Sequence, residues 1–378
     1  MTFRQTCLFL LGSLLPSLML ALVATYVMRW LSPRVGLIDQ PNQRKVHTKP
    51  IPLGGGLGIW SGVVGTFAIG QLAIAMVVGN SQLRELIPDF AQPHLSGIQS
   101  QLPMLWMLLS ASTLLMLLGL ADDRWGLPWQ PRMAVQFGVA AVCVYFVPNL
   151  RLTAFIDQPW FTGLLSVLWI VAMINSFNML DNMDGLSAGI ATIAASFLAA
   201  VMLLAPDPET RGPQLFVAGF LLVLVGSLVG FLFHNRPPAK IFMGDAGSYF
   251  VGFNIAVATL LASYTGYQSE TRHAILAPLL VMAVPLYDLL TVVAIRLRSG
   301  RSIFSADKNH FSHRLVELGL TKPQAVLTVY LTTATCCLAA LLLHRVDWVG
   351  AVILMLIVGC ILSLIAILET TARRKIHS

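Results

Sequence analysis

The sequence predicts an all-α, polytopic integral membrane protein with about 11 transmembrane helices in a single transmembrane domain over residues 1–378. Three observations predict it. Of the 378 residues, 56% are hydrophobic and only 11% charged, against roughly 25% charged in ordinary soluble domains. The mean hydropathy is +0.76. Nearly uncharged apolar stretches of about 20 residues, the length a helix needs to cross a hydrocarbon core, recur from one end of the chain to the other.

Eleven such stretches follow one another. The first, 7–31, is too long for the apolar core of a cleaved signal peptide and no small-residue cleavage site follows it, so it reads as a retained span. The others are 53–79, 102–121, 131–147, 160–178, 186–205, 214–233, 247–265, 273–296, 324–343 and 347–368. Cys7, Cys143, Cys336, Cys337 and Cys360 all fall inside these stretches, without metal-ligand partners at the usual spacings, and read as packing residues. No internal repeat or composition shift marks a second domain.

Laid on alternating sides of eleven spans, 18 of the 24 Lys and Arg residues share one side, and Arg4, Arg84, Arg151, Arg211, Arg272 and Arg345 take the other. The positive-inside rule then puts the N-terminus outside and the C-terminus in the cytoplasm. The net charge of +7 follows from this topology and requires no nucleic-acid partner; it also favours anionic substrates and lipid headgroups.

Five loops fall on the basic, cytoplasmic side: 32–52, 122–130, 179–185, 234–246 and 297–323, and each holds a polar cluster. INSFNMLDNMDGLSAG (174–189) carries Asp181 and Asp184 with Asn178 and Asn182, and no Lys or Arg. Dehydrated carboxylates at a membrane boundary are costly, so a divalent cation or a cationic group from another loop is expected beside them, unless they only cap helices in a wet turn. GLADDRWGL sets Asp122 beside Asp123, two acids that repel unless a cation or proton lies between them, with Arg124 as the nearest counter-ion in sequence. IFMGDAGSYFVG holds Asp245 between glycines at a helix start, where backbone N–H groups suit phosphate oxygens and a carboxylate suits Mg²⁺.

The loop SGRSIFSADKNHFSHRLVELG is basic and places His310 and His313 three residues apart, on one face if helical. Two His without a third ligand make a poor Zn²⁺ site; contact with an anion or with lipid headgroups suits the composition better. Lys45 and Lys49 precede the glycines 54–56, which fit no P-loop spacing. Asp288 is a lone carboxylate inside the ninth stretch, either functional or paired with a polar neighbour.

These motifs, in this order and over nearly the whole chain, resemble the polyprenyl-phosphate N-acetylhexosamine-1-phosphate transferases, the family that includes phospho-N-acetylmuramoyl-pentapeptide transferase and the bacterial undecaprenyl-phosphate GlcNAc-1-phosphate transferases. Asp122-Asp123 looks like its Asp pair, NSFNMLDNMDGLSAG is similar to its N-x-x-N-x-x-D-G-x-D-G-L, and HNRPPAKIFMGDAGS to its N-x-x-P-A-x-x-F-M-G-D-x-G-S. The resemblance implies an enzyme of a bacterial plasma membrane with its site on the cytoplasmic face, which moves an amino-sugar 1-phosphate from a UDP-sugar to undecaprenyl phosphate and releases UMP. It implies Mg²⁺, or Mn²⁺ in its place, and is compatible with a homodimer.

Residue by residue, the resemblance gives Asp245, with Asp181, to the metal. Asp122 and Asp123 would position or deprotonate the lipid phosphate or assist the metal. Asp181, Asp184 and Asn178 would line the nucleotide, Asn235 and Phe242 would meet the uracil, and Lys45 or Lys49 would approach the nucleotide. His310 and His313 would hold the pyrophosphate or sugar phosphate. Two positions depart from the family pattern: Asn182 where Gly is usual, touching a backbone contact to the base, and Ser312 where the HFSH run replaces a His. Without three consecutive His, a UDP-GlcNAc-like donor fits better than UDP-MurNAc-pentapeptide. A transporter or an inactive scaffold are the rival readings; the acids lie in turns on one face rather than at a bilayer midplane, and every expected acidic position is filled.

Overall fold

The computed structural model of the protein describes residues 2–41, 49–78, 92, 95–152, 156, 158–205, 212–262, 264, 272–304 and 309–377. It is a bundle of helices with one small hairpin. In chain order these are α1 (Phe3–Arg34), β1 (Ile38–Asp39), β2 (Ile51–Pro52), α2 (Gly55–Val78), α3 (Leu95–Trp125), α4 (Trp129–Phe146), α5 (Pro159–Leu180), α6 (Leu186–Leu204), α7 (Leu215–Asn235) and α8 (Gly244–Leu261). After a 3₁₀ turn at Arg272–Leu276 come α9 (Ala277–Val281), α10 (Ala283–Arg298), α11 (Phe311–Glu317), α12 (Lys322–Leu342) and α13 (Trp348–His377).

The described residues of each of the eleven apolar stretches are mainly helical, with two qualifications of physical origin. The expected span 273–296 is broken: its two halves, Arg272–Val281 and Ala283–Arg298, meet at 63°. Pro285 sits three residues past the break, where its missing N–H cannot reach back to Val281. Further, among the described residues eight helices are long and apolar enough to cross a membrane, or nine with the bent pair; α4 and α8 are helical over 18 residues each but more polar.

The reason is clearest for α8, GDAGSYFVGFNIAVATLL, in which every residue from Ala246 to Leu260 is buried. With α2, α3 and α5 packed around it, it faces protein instead of lipid and needs small surfaces more than hydropathy. α1 and α13 are the opposite case, with only 11% of each apolar window buried inside the protein. Gly252 and Gly119 allow the close packing: a methyl group on Gly252 would lie 2.7 Å from the Cα of Ile174, and one on Gly119 would lie 2.4 Å from the carbonyl oxygen of Asp245.

The segments between helices on one end of the bundle are stitched together. β1 and β2 pair antiparallel, with Ile38 opposite Pro52. The Phe242 N–H donates to the Pro52 carbonyl (2.9 Å) and the Phe242 carbonyl accepts from the Gly55 N–H (2.9 Å), which fixes the hairpin to the entry of α8. The turn after α5 is held at Gly185, where φ is +75°. Its N–H donates to Asn235 Oδ1 at 2.9 Å and its carbonyl accepts from the Tyr330 hydroxyl of α12.

Candidate active site

The described parts of all five polar loops meet around one cavity of about 1430 Å³ at this end of the bundle. Asp39, Asp123, Asp181, Asp184 and Asp245 line it, as do Lys49, Arg132, Lys240, Arg296 and Lys322. His310, His313, Asn178, Asn182 and Phe242 complete the expected set within it. Lys45 lies outside the described residues.

The Asp pair divides its work. The Asp123 carboxylate accepts the N–H groups of Asp245 (2.9 Å) and Ala246 (3.2 Å) at the start of α8. The helix start expected to receive phosphate oxygens is thus filled by the protein's own carboxylate. Both are anions, and the one supplied by α3 is covalently tethered and always present. Asp122 accepts from the Leu127 N–H (2.8 Å), from Arg132 and from the Tyr249 hydroxyl (3.3 Å). Its counter-ion is therefore Arg132, one turn into α4, and not the neighbouring Arg124, whose guanidinium lies against Gly36. Arg132 also reaches Asp245 at 3.5 Å and the Tyr249 hydroxyl at 3.3 Å. Arg132, on a helix the sequence marks as a span, thus serves Asp122 and Asp245, whereas Asp181 and Asp184, beside which a cation is expected, accept from the backbone N–H groups of Gly244 and Ala239.

Asp245 is oriented by Asn178, whose Nδ2 donates to it at 2.7 Å and to Ser248 Oγ at 3.0 Å. Asp181 accepts from the Gly244 N–H, and burial together with the Asp123 charge pushes its carboxyl up to about 7. Asp184 accepts from the Ala239 N–H at 2.9 Å. Asn182 donates to the Met179 carbonyl (2.7 Å) and accepts from Ser312 Oγ (2.6 Å), so the two departures from the family pattern touch each other. Asn235 is a correction to the expected uracil contact: it is buried, and its amide is spent on Gly185 and on the Ile241 carbonyl at 2.8 Å. It shapes the loop from behind, whereas Phe242 remains on the cavity wall.

The histidine side is built differently. Asp288, fully buried, accepts the Phe311 N–H (2.6 Å) and lies 3.0 Å from His310 Nδ1. Of the two readings of this lone acid, the structure places it with a polar partner, and that partner lines the site. Arg314 of α11 is buried and donates to Glu369 of α13 (2.9 Å) and to Thr291 of α10 (3.0 Å). At the rim, Trp129 and Phe304 stack in parallel with centroids 3.9 Å apart.

Among the described residues, no three His, Cys, Asp or Glu side chains converge on a point where they alone would hold a metal. Mg²⁺ takes one or two carboxylates and completes its shell with substrate phosphates and water. Asp245, with its side chain 30% accessible in the cavity, has the required character.

Sequence reasoning missed Arg132, Tyr249, Lys322 and the Trp129–Phe304 stack. For the first two a signal exists: an Arg inside an apolar stretch, and a Tyr one helical turn after Asp245. Nothing in the sequence pairs Trp129 with Phe304.

An all-helical membrane bundle whose polar cavity combines acids, basic side chains and histidines on one face is the architecture of an enzyme acting on anionic substrates at a membrane surface. The glycosyl transferase family 4 pattern matches residues 105–263. A Bacillus subtilis protein named "probable undecaprenyl-phosphate N-acetylglucosaminyl 1-phosphate transferase" is 32% identical over 351 residues, 90% of this chain and 87% of that one. The decaprenyl-phosphate N-acetylglucosaminephosphotransferase of Mycobacterium tuberculosis is 34% identical over 327 residues, 82% and 76% of the two chains. The undecaprenyl-phosphate alpha-N-acetylglucosaminyl 1-phosphate transferase of Escherichia coli is 30% identical over 317 residues, 81% and 76%. The chain belongs to glycosyl transferase family 4, within its polyprenyl-phosphate hexosamine-1-phosphate transferases.

Proposed function

We propose that the protein transfers GlcNAc 1-phosphate from UDP-GlcNAc to undecaprenyl phosphate, giving undecaprenyl-pyrophosphoryl-GlcNAc and UMP, the first membrane step of a cell-envelope glycan. The observation that carries this reading is the cavity itself, which gathers five carboxylates and five cationic side chains at the end of an apolar helical bundle. The names of the three relatives, two of them polyprenyl-phosphate N-acetylglucosaminyl 1-phosphate transferases and one a phosphotransferase of the same sugar, support the donor and the acceptor.

In the reaction an oxygen of the lipid phosphate attacks the β-phosphorus of the donor, the bond from that phosphorus to the bridging oxygen breaks, and UMP departs with the electron pair. Two anions must meet and charge must pass to the leaving phosphate, so positioning and electrostatics dominate. Arg132, 3.5 Å from Asp245, is placed to bring one phosphate against the carboxylate cluster. Phe242 offers a face to the base, and Lys49 and Lys240 offer charge to the nucleotide from the hairpin and the α7–α8 loop. The lipid phosphate is already ionised at neutral pH, so Asp122 and Asp123 serve more in holding Arg132 and α8 than as bases. Mg²⁺ held by Asp245, with Asp181 in support, supplies charge neutralisation at the pyrophosphate when bound.

The positive-inside count, 18 against 6, supports a plasma-membrane orientation with the cavity on the cytoplasmic face and eleven crossings in all. The test is UMP release by the purified protein with Mg²⁺, comparing UDP-GlcNAc, UDP-GalNAc and UDP-MurNAc-pentapeptide, each with and without undecaprenyl phosphate. Release from UDP-GlcNAc that needs both lipid and metal is expected. Asp245→Asn is expected to lower it by about 10²- to 10³-fold, the several kcal/mol a bound cation contributes, while the variant stays monodisperse. Release from another donor alone, or without lipid, would overturn the assignment.

A further inference from the structure

Asp288 and His310 are separated by 22 residues, on α10 and at the start of α11, and they form an enclosed acid–imidazole contact at the cavity wall. The Asp288 carboxylate is fully buried and His310 is 7% exposed. One carboxylate oxygen lies 3.0 Å from His310 Nδ1 and the other accepts the Phe311 N–H at 2.6 Å. Both oxygens are thus used in the plane that sets the ring, and the contact fixes both the entry of α11 and the orientation of the imidazole. His310 lines the cavity, and because its Nδ1 edge is turned to Asp288, the edge left for the cavity carries Nε2.

An ionised carboxylate accepts and cannot donate. Nδ1 must therefore carry the proton of the neutral ring, which leaves the lone pair on Nε2. We propose that Asp288 is a positioning residue for the sugar-phosphate transfer: it holds His310 in the Nδ1–H tautomer, with Nε2 facing the substrate. In that form the ring accepts a hydrogen bond from a hydroxyl or amide N–H of the donor sugar. Only on gaining a second proton does it donate to a phosphate oxygen, and the orientation is the same in both forms. The reaction assigned above is the premise for the substrate; the tautomer itself is independent of it.

Asn at position 288 would reverse the arrangement with almost no change of shape. Its carbonyl oxygen would take the Phe311 N–H, its amide N–H₂ would face Nδ1, and Nδ1 would become the acceptor, moving the ring proton to Nε2. Long-range ¹H–¹⁵N spectra of the full-length, His-labelled protein in detergent can read this. They are recorded at about two pH units above the ordinary imidazole value of about 6.5, with His310→Gln used to assign the resonance. The expected result is Nδ1–H in the wild type and in Asp288→Glu, and Nε2–H in Asp288→Asn. UMP release should fall in Asp288→Asn by about 10- to 100-fold in kcat, as for other partners that orient a functional imidazole, with partial recovery in Asp288→Glu. A purely structural role would lower the yield of folded protein and leave the tautomer alone.

Nε2–H in the wild type overturns the proposal even if Asp288→Asn does not fold, and so does a tautomer unmoved in a folded Asp288→Asn. Should the tautomer switch while no donor releases UMP, the assigned reaction fails and the pair stands. UMP release with an unswitched ring reverses that outcome.

Discussion

On the side of the cavity built by α3, α5 and α8, three acids are partnered by backbone, Asp123 by two amides of α8, Asp184 by Ala239 N–H and Asp181 by Gly244 N–H, while Asp122 and Asp245 share Arg132 and Tyr249. On the side built by α10, α11 and α13, ionisable side chains are partnered mainly by one another, Asp288 with His310 and Arg314 with Glu369. Amide partners come with the fold and cannot be removed by a single substitution. Side-chain partners can be, and each leaves a buried charge behind. Apart from Arg132, the first wall is thus preset by helix geometry, and the second hangs on a few replaceable contacts.

The comparison breaks most readily at Arg314. Replacing it by Met strands Glu369, 5% exposed, and should destabilise the protein by about 3–5 kcal/mol, whereas Arg314→Met with Glu369→Met should recover most of that loss. Thermal unfolding of the two single variants and the double variant in detergent gives the answer; equal losses in all three would mean that the pair is not the tie between α11 and α13.

Asp181 sharpens the other side. Burial and the neighbouring Asp123 charge push its carboxyl up to about 7, well above the ordinary carboxylate range, so its neutral form is the one the fold prefers. The stabilising contribution is complete below the unfolded value and is lost as pH rises through about 7. Asp181→Asn, which imitates the neutral acid, should therefore match the wild type only below about pH 4 and gain on it as pH rises through 7, reaching about 2 kcal/mol at pH 8 after allowing for partial solvent screening. Metal should reverse the gain, since a cation favours the ionised wild-type side chain.

The smallest effect is expected where the two walls meet. The 2.6 Å bond from Ser312 to Asn182 joins α11 to the turn after α5, and Ser312→Ala should cost about 1 kcal/mol. Combined with Asn182→Gly, the loss should be less than the sum of the two, because both remove the same bond.

Much of this was legible in the sequence. Eleven apolar stretches became helices because length and hydropathy suffice to mark them, and Asp245, Asn178 and Asp181 share one cavity because each ends or begins a helix on the same face. The break at Met282 and Ala283 was missed although Pro285 lies beside it, since a proline bends a helix only where packing permits. Arg132 bonds across 113 residues to Asp245, and Ser312 across 130 to Asn182. Separations of that size are set by the packing of whole helices, which no local pattern encodes. Asn235 shows the reverse error: its motif was right, but a side chain can belong to a site by holding its backbone instead of facing its ligand.

The glycine contacts beneath the cavity have a consequence for sidedness. Where Gly119 meets Asp245 and Gly252 meets Ile174, backbone rests on backbone, and below them Phe250, Phe253 and Val257 are fully buried. On that side the floor is packed backbone and apolar side chain, so a polar group seated against Asp245 can go no deeper and is left facing the loops that line the cavity.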